Sequence, residues 1–325
     1  MDVARLDATS VKLLAILFRR WGERLSNAEL YGQAYLAYTS IWRRNQKRFL
    51  TALSISRDLG KRNIDCMLIK GLALTLAHHG DYGTRSMEDV DVLIRPADLA
   101  EALGALEHSG WKTEASMPAG EIARQSRIRH AWGLTRGDEE NCDVHWHPVL
   151  RCFSPRVADL FWRDARTVEL FGRALKIPCA TDLLFHACAH GLQWSWTPQI
   201  RWIPDALTLL RSAIDWERLV TLAGEAGMNL RLYYALAYLR ERFGSQVPPE
   251  ISERLRARGL ERGEQREYEL LQKPCPLGLF DRGRWHWTYF QRIREFDPEW
   301  RAQPISGFLH YLILFSKFQG SDPLK

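Results

Sequence analysis

The sequence predicts an α+β protein in which a small mixed β-sheet is flanked by a helical segment before it and a helical region after it. Three observations predict this class. Apolar residues recur at helical spacing from Ser10 to Leu59, short alternating strand-like and helix-like units fill residues 63–150, and helical spacing returns beyond Pro178.

In the N-terminal helical segment, residues 1–62, the repeating positions are Leu13, Leu14, Ile16 and Leu17, then Leu30, Tyr35, Leu36, Tyr38, Ile41, Trp42, Phe49 and Leu50, with a break near Trp21-Gly22. The core, 63–150, is expected to run as strand Cys66–Ile69, helix Leu72–His79, strand Asp89–Ile94, helix Pro96–Ser109, strand Trp111–Glu114, and two further strands at His130–Thr135 and Cys142–Trp146. The mixed sheet is expected to end there. In the C-terminal region, 151–325, Thr181-Asp182 is the expected cap of a helix through His190, and Pro204 opens one over Asp205–Leu210. Two more helices, Glu217–Ala226 and Leu230–Phe243, precede Gly244 and Pro248-Pro249. The last 60 or so residues are basic, aromatic and broken by Pro and Gly, and are expected to pack back on the core.

Composition narrows the class of protein. A chain of 325 residues that is 46% hydrophobic can bury one large core or two ordinary ones. Its net charge of +6 is spread along the chain without a block of like charge, which suits phosphate ligands but does not select a partner. The six cysteines, Cys66, Cys142, Cys152, Cys179, Cys188 and Cys275, form no CxxC pair or zinc-ligand spacing, so reduced thiols and a cytoplasmic location are expected. Met1–Asp7 carries early acids instead of a basic-then-apolar leader, so no signal peptide is expected. The apolar stretch Phe308–Phe315 is far short of the roughly 20 residues of a spanning helix, so no membrane insertion is expected either.

Chemistry concentrates in four places. In Glu88-Asp89-Val90-Asp91-Val92-Leu93-Ile94, alternation along a strand turns Asp89 and Asp91 to one face, roughly 6–7 Å apart, and Val90, Val92 and Ile94 to the other. Paired carboxylates call for a cation, and Mg²⁺ prefers such oxygens. In Leu68-Ile69-Lys70-Gly71-Leu72 a strand runs into a helix, where Gly71 lets the backbone approach a ligand and Lys70 adds a point charge for phosphate. Alternation in Asn141–Pro148 puts Asp143, His145 and His147 on one face, which offers Asp143 as a third carboxylate or His145 and His147 as a transition-metal pair. Finally Arg85, just ahead of the aspartates, is placed to neutralise phosphate or to pair with Glu88.

The histidines and tryptophans read less sharply. His186 and His190 share a helix face but lack the glutamate of HExxH, so ordinary hydrogen-bonded histidines are the expectation, with His190 and Asp205 as a supporting pair behind the site. Thirteen tryptophans, several beside arginine (Trp42-Arg43-Arg44, Arg201-Trp202, Arg284-Trp285-His286-Trp287), fit either base stacking or core packing under arginine stems.

The order Leu68-Ile69-Lys70-Gly71, then Tyr82, Arg85 and Asp89–Ile94, then Asp143-Val144-His145-Trp146, resembles the uncharacterised nucleotidyltransferase family of the DNA polymerase β-like superfamily. The likeness continues through Thr181–His190, Arg201–Asp205 and Ile214-Asp215-Trp216. It implies that Asp89, Asp91 and Asp143 are catalytic and hold two Mg²⁺ ions, with Asp143 helping to ionise the acceptor hydroxyl. It also implies that Lys70, Gly71 and Arg85 bind the NTP, and that a nucleoside monophosphate passes to a hydroxyl on a protein, a tRNA or a small molecule. His145, His190 and Asp205 are placed behind these groups. The superfamily's usual Gly-Ser turn is replaced here by Lys70-Gly71. The alternative is a catalytically silent module on the same fold that senses nucleotide or binds RNA.

Overall fold

A computed structural model describes residues 8–25, 27–113, 119–192, 200–273 and 277–316. Helix α1 (Ala8–Trp21) and the long helix α2 (Ala28–Gly60) are joined by a 3₁₀ turn at Gly22–Arg24, the break read at Trp21-Gly22. Asn27 caps α2, its side chain accepting the Leu30 backbone N–H at 2.9 Å. Phe49, Ala52, Ile55 and Leu59 on α2 are fully buried and lay that helix on the sheet.

Strand β1 (Met67–Leu68) leads into α3 (Lys70–Leu74), which continues as a π turn over Thr75–His79. Strand β2 (Val90–Leu93), helix α4 (Leu99–His108), strand β3 (Lys112–Thr113), helix α5 (Ala119–Ser126), and strands β4 (Ala131–Arg136) and β5 (Glu140–His145) follow. All the strands expected within 63–150 are present, the first three shorter than expected and the last two shifted by one or two residues; Glu114, expected to end the third, lies outside the described residues.

The sheet does not stop there. After α6 (Pro155–Arg163), a hairpin of β6 (Arg166–Leu170) and β7 (Arg173–Ile177) extends it, so among the described residues seven strands run β3-β4-β5-β2-β1-β7-β6. This corrects the expectation that the sheet is confined to 63–150. Phe171 and Gly172, both at positive φ (48° and 75°), make the two-residue turn whose twist matches a hairpin. The strands themselves are masked in sequence by outward Arg166, Glu169, Arg173 and Lys176, which leave only Leu170, Leu175 and Ile177 buried.

The rest is helical: α7 (Ala180–Gly191), α8 (Trp202–Leu209), α9 (Trp216–Ala226), α10 (Asn229–Phe243), α11 (Pro249–Glu261), α12 (Gln265–Leu271), α13 (Leu279–Arg294), α14 (Pro298–Ala302) and α15 (Pro304–Ser316). Thr181 and Asp182 lie inside the first turn of α7, behind Cys179 as the cap residue, which corrects their reading as the cap. Each has another task. Thr181 Oγ accepts the Asp215 N–H at 3.0 Å, and Asp182 receives Arg218 of α9 through Nε at 2.7 Å and Nη2 at 2.8 Å. Helix α7 packs on α3, and α8 packs on the π turn, so the helical region meets the sheet beside Lys70.

The C-terminal helices do pack back. Trp285, Tyr289, Phe290 and Ile293 of α13 and Tyr311 and Leu314 of α15 bury with Ile128 and Phe153. Of the tryptophans read beside arginine in the sequence, Trp202 and Trp285 are buried, with Arg151 5.3 Å over the Trp285 ring, whereas Trp42 and Trp287 are exposed; elsewhere Arg127 lies over Trp300 and Arg129 over Trp132 at 4.4 Å each. Among the described residues no helix is long and apolar enough to cross a membrane.

One carboxylate anchors this tail. Glu267 of α12 receives Arg292 Nε at 2.7 Å and Arg231 Nη2 at 3.3 Å, with Arg151 Nε at 3.5 Å. Burial would raise its carboxyl, but the three guanidiniums hold it down at about 2. Glu267→Ala would strand buried cations, so chemical denaturation should show a loss of ~3–5 kcal/mol. A loss under ~1 kcal/mol would contradict this assignment.

Candidate active site

The site grows from strand register. Strands β2 and β5 pair in parallel with Asp91 opposite Asp143 and Leu93 opposite His145. Adjacent strands lie about 4.8 Å apart, so two carboxylates in register on one face must meet. Ligand atoms of Asp91, Asp143 and His145 all fall within 4.8 Å of one another, a spacing one cation can bridge. Asp89 is not in that group. It precedes β2, partly buried, and burial followed by the charge of Asp91 pushes its carboxyl up to about 6.

Strand β1 brings the lysine. The Ile69 N–H donates to the Asp91 carbonyl at 3.1 Å, so the chain leaves β1 directly beside Asp91. Lys70 then turns at φ +51°, a left-handed conformation costly for a lysine, and its Nζ lies 2.5 Å from Asp91 Oδ1. His145 Nε2 meets the same oxygen at 2.9 Å. Asp91 is only 3% exposed; burial alone would raise its pKa, but the Lys70 ammonium and then the His145 hydrogen bond hold it well below the usual range.

Burial and the Lys70 charge keep the His145 ring neutral. A neutral ring facing an ionised carboxylate carries its proton on Nε2 and donates it. Its Nδ1 is then a bare, buried nitrogen with no hydrogen-bond partner among the described residues.

Arg85 goes elsewhere. Its Nε and Nη2 donate to the two oxygens of Asp205 on α8, each at 2.8 Å, and His79 Nε2 lies 3.2 Å from Asp205 Oδ1. This corrects the reading of Arg85 as a partner of Glu88, which pairs instead with Lys12 and Arg201 at 3.4 Å each. It also corrects the expected pairing of His190 with Asp205. A Cβ at Gly71 would stand 2.3 Å from Arg85 Nη1, so the glycine makes room for that guanidinium.

The His147 ring lies edge-on to Phe153 at 5.5 Å, and the metal-holding group found among the described residues takes in His145 but not His147. His190 stacks edge-on with His186 at 5.6 Å, and burial followed by the Lys70 charge pushes it down to about 4. His130, which the sequence did not single out, sits 5.4 Å from the His145 ring. No spacing rule could find it, because β4 reaches β5 only through the sheet. His79 was likewise missed: it lies in the π turn.

The carboxylates, the neutral imidazole and the lysine define a cation-seeking and phosphate-compatible centre on a mixed sheet. Residues 13–244, more than half of the chain, match the model of the uncharacterised nucleotidyltransferase family, and the chain belongs to that family. No curated protein matches it. Among solved structures it is similar to the antibiotic-resistance factor ANT(2'')-Ia, at 14% identity and a TM-score of 0.40, over 61% of this chain and 99% of that one. It is similar also to an antigenic nucleotidyltransferase-like protein from Paracoccidioides brasiliensis, at 18% identity and a TM-score of 0.40, over 65% and 93%. A third likeness is to ANT(2")-Ia in complex with adenylyl-2"-tobramycin, at 12% identity and a TM-score of 0.31, over 74% and 99%.

Burial raises the Asp205 carboxyl, but Arg85 and then His79 outweigh it and hold it well below its unfolded value. The stability it contributes is therefore present at neutral pH and lost as pH falls below about 4. Asp205→Asn should cost ~3 kcal/mol or more at pH 7 and flatten the acid limb of a stability–pH profile measured by denaturation. An unchanged acid limb would contradict the pairing.

Proposed function

We propose that the protein is a metal-dependent nucleotidyltransferase that moves a nucleoside monophosphate from an NTP to an acceptor hydroxyl and releases pyrophosphate. The observation that carries this reading is the register of Asp91 against Asp143, with His145 and Lys70 at the same carboxylate. The donor set fits a divalent cation, and the Lys70 ammonium beside Asp91 marks where positive charge is needed. Asp91 and Asp143 would hold Mg²⁺, with Asp89 joining them if two ions bind as the family resemblance implies. A bound ion would neutralise triphosphate charge and acidify the acceptor hydroxyl.

The chain's own residues do the rest. His145 fixes the Asp91 carboxylate by its Nε2–H. Asp143, less buried than Asp91, faces the acceptor and helps draw off its proton. Lys70 supplies a point charge to the phosphates, while Arg85, pinned by Asp205 over Gly71, shapes the floor beneath them. The acceptor belongs to a protein side chain, the end of a tRNA or a small molecule, chosen by the helical region that packs beside Lys70. Free thiols at Cys66, Cys142, Cys152, Cys179 and Cys188 support a reducing, cytoplasmic setting.

The test is transfer of label from α-labelled NTPs, with Mg²⁺ and cell extract, by wild type and by Asp91→Asn and Asp143→Asn. Wild type should transfer label and each variant should fall by ~10² or more. Absent transfer with retained NTP binding would replace this reading with a nucleotide sensor.

A further inference from the structure

We infer that Lys70 is the resident counter-ion of the carboxylates, so that the site takes its divalent cation together with a triphosphate and resists the cation alone. This rests on reading Asp91 and Asp143 as metal ligands, and goes beyond it by naming what governs loading.

Three observations carry it. First, Asp91 Oδ1 already has two partners, Lys70 Nζ at 2.5 Å and His145 Nε2 at 2.9 Å. A metal approaching that oxygen must displace the ammonium. Second, among the described residues no other lysine or arginine forms an ion pair with Asp89, Asp91 or Asp143, because Arg85 is committed to Asp205. Among the described residues Lys70 is thus the one lysine or arginine in direct contact with this acidic site, through Asp91. Third, the root of the side chain cannot retreat. Ile69 is hydrogen-bonded to Asp91, and Lys70 is set at φ +51°, so the ammonium can move only by swinging its four-carbon arm.

A free cation entering this site would strand a partly buried ammonium without its counter-ion, which is unfavourable. A metal–triphosphate complex brings its own oxygens and a net negative charge, so Lys70 exchanges one anion for another. Metal and nucleotide are then coupled, and coupling of this kind ordinarily spans about 5–150-fold.

The discriminating measurement is Mn²⁺ affinity of the nucleotide-free protein, read by loss of the free-ion EPR signal. Lys70→Gly and Lys70→Asn remove the ammonium while tolerating the left-handed backbone, so both should fold, as a thermal melt would verify. Each is expected to bind Mn²⁺ at least ~10-fold more tightly than wild type, within the range of that coupling. Lys70→Arg, which keeps the charge, should not gain. Damage to the site would lower metal affinity, so a gain distinguishes a counter-ion from a merely structural lysine. Equal affinity across wild type and all three variants would overturn the inference while leaving the proposed function standing if label transfer persists. Absence of Mn²⁺ binding in every form, together with absent transfer, would overturn both.

Discussion

The structure depends on one electrostatic requirement, that the carboxylate of Asp91 be ionised although it is almost wholly shielded from water. An unpaired buried charge costs several kcal/mol, so its neighbours must supply compensation. The topology supplies it from both sides. Strand β1, antiparallel to β2, ends beside Asp91 and delivers Lys70; strand β5, parallel to β2, delivers Asp143 and His145. Reversing either pairing would move these groups to different levels of the sheet.

The same junction ties the helical region to the sheet. Gly71 leaves room for the Arg85 guanidinium, Arg85 grips Asp205 on α8, and α7 packs on α3. The turn that aims Lys70 is thereby braced by residues more than a hundred positions downstream. Further back, Arg218 on Asp182 and the three arginines on Glu267 repeat the device of a buried carboxylate holding several elements together. These pairs give geometry more than net stability, since each repays a desolvation cost of its own.

Much of this was legible in the sequence. The DxD strand, the lysine-glycine turn and the Asp143 strand were read from alternation, and their order carried the family. What alternation could not provide was partnership. Arg85 lies three residues from Glu88 in sequence yet pairs with Asp205 across 120 positions, and Gly71 also makes room for that arginine. The hairpin β6–β7 was hidden because its outward face is charged and its buried residues are few. His145 was read as a candidate ligand, but its hydrogen bond to Asp91 depends on a parallel register that only the folded sheet reveals. The tail resisted reading because its aromatics bury against Ile128 and Phe153, so its apolar pattern follows an irregular surface instead of a single helix stripe.

The proposed function requires that Asp91 and Asp143 form one cation site beside Lys70. It is tested most directly by crystals grown with Mn²⁺ and a non-hydrolysable NTP analogue, with anomalous diffraction collected at the manganese edge. An anomalous peak is expected within about 2.0–2.3 Å of oxygens from both Asp91 and Asp143, with the Lys70 ammonium moved onto the triphosphate. Nucleotide bound with no peak between the two carboxylates, and Lys70 still on Asp91, would contradict it.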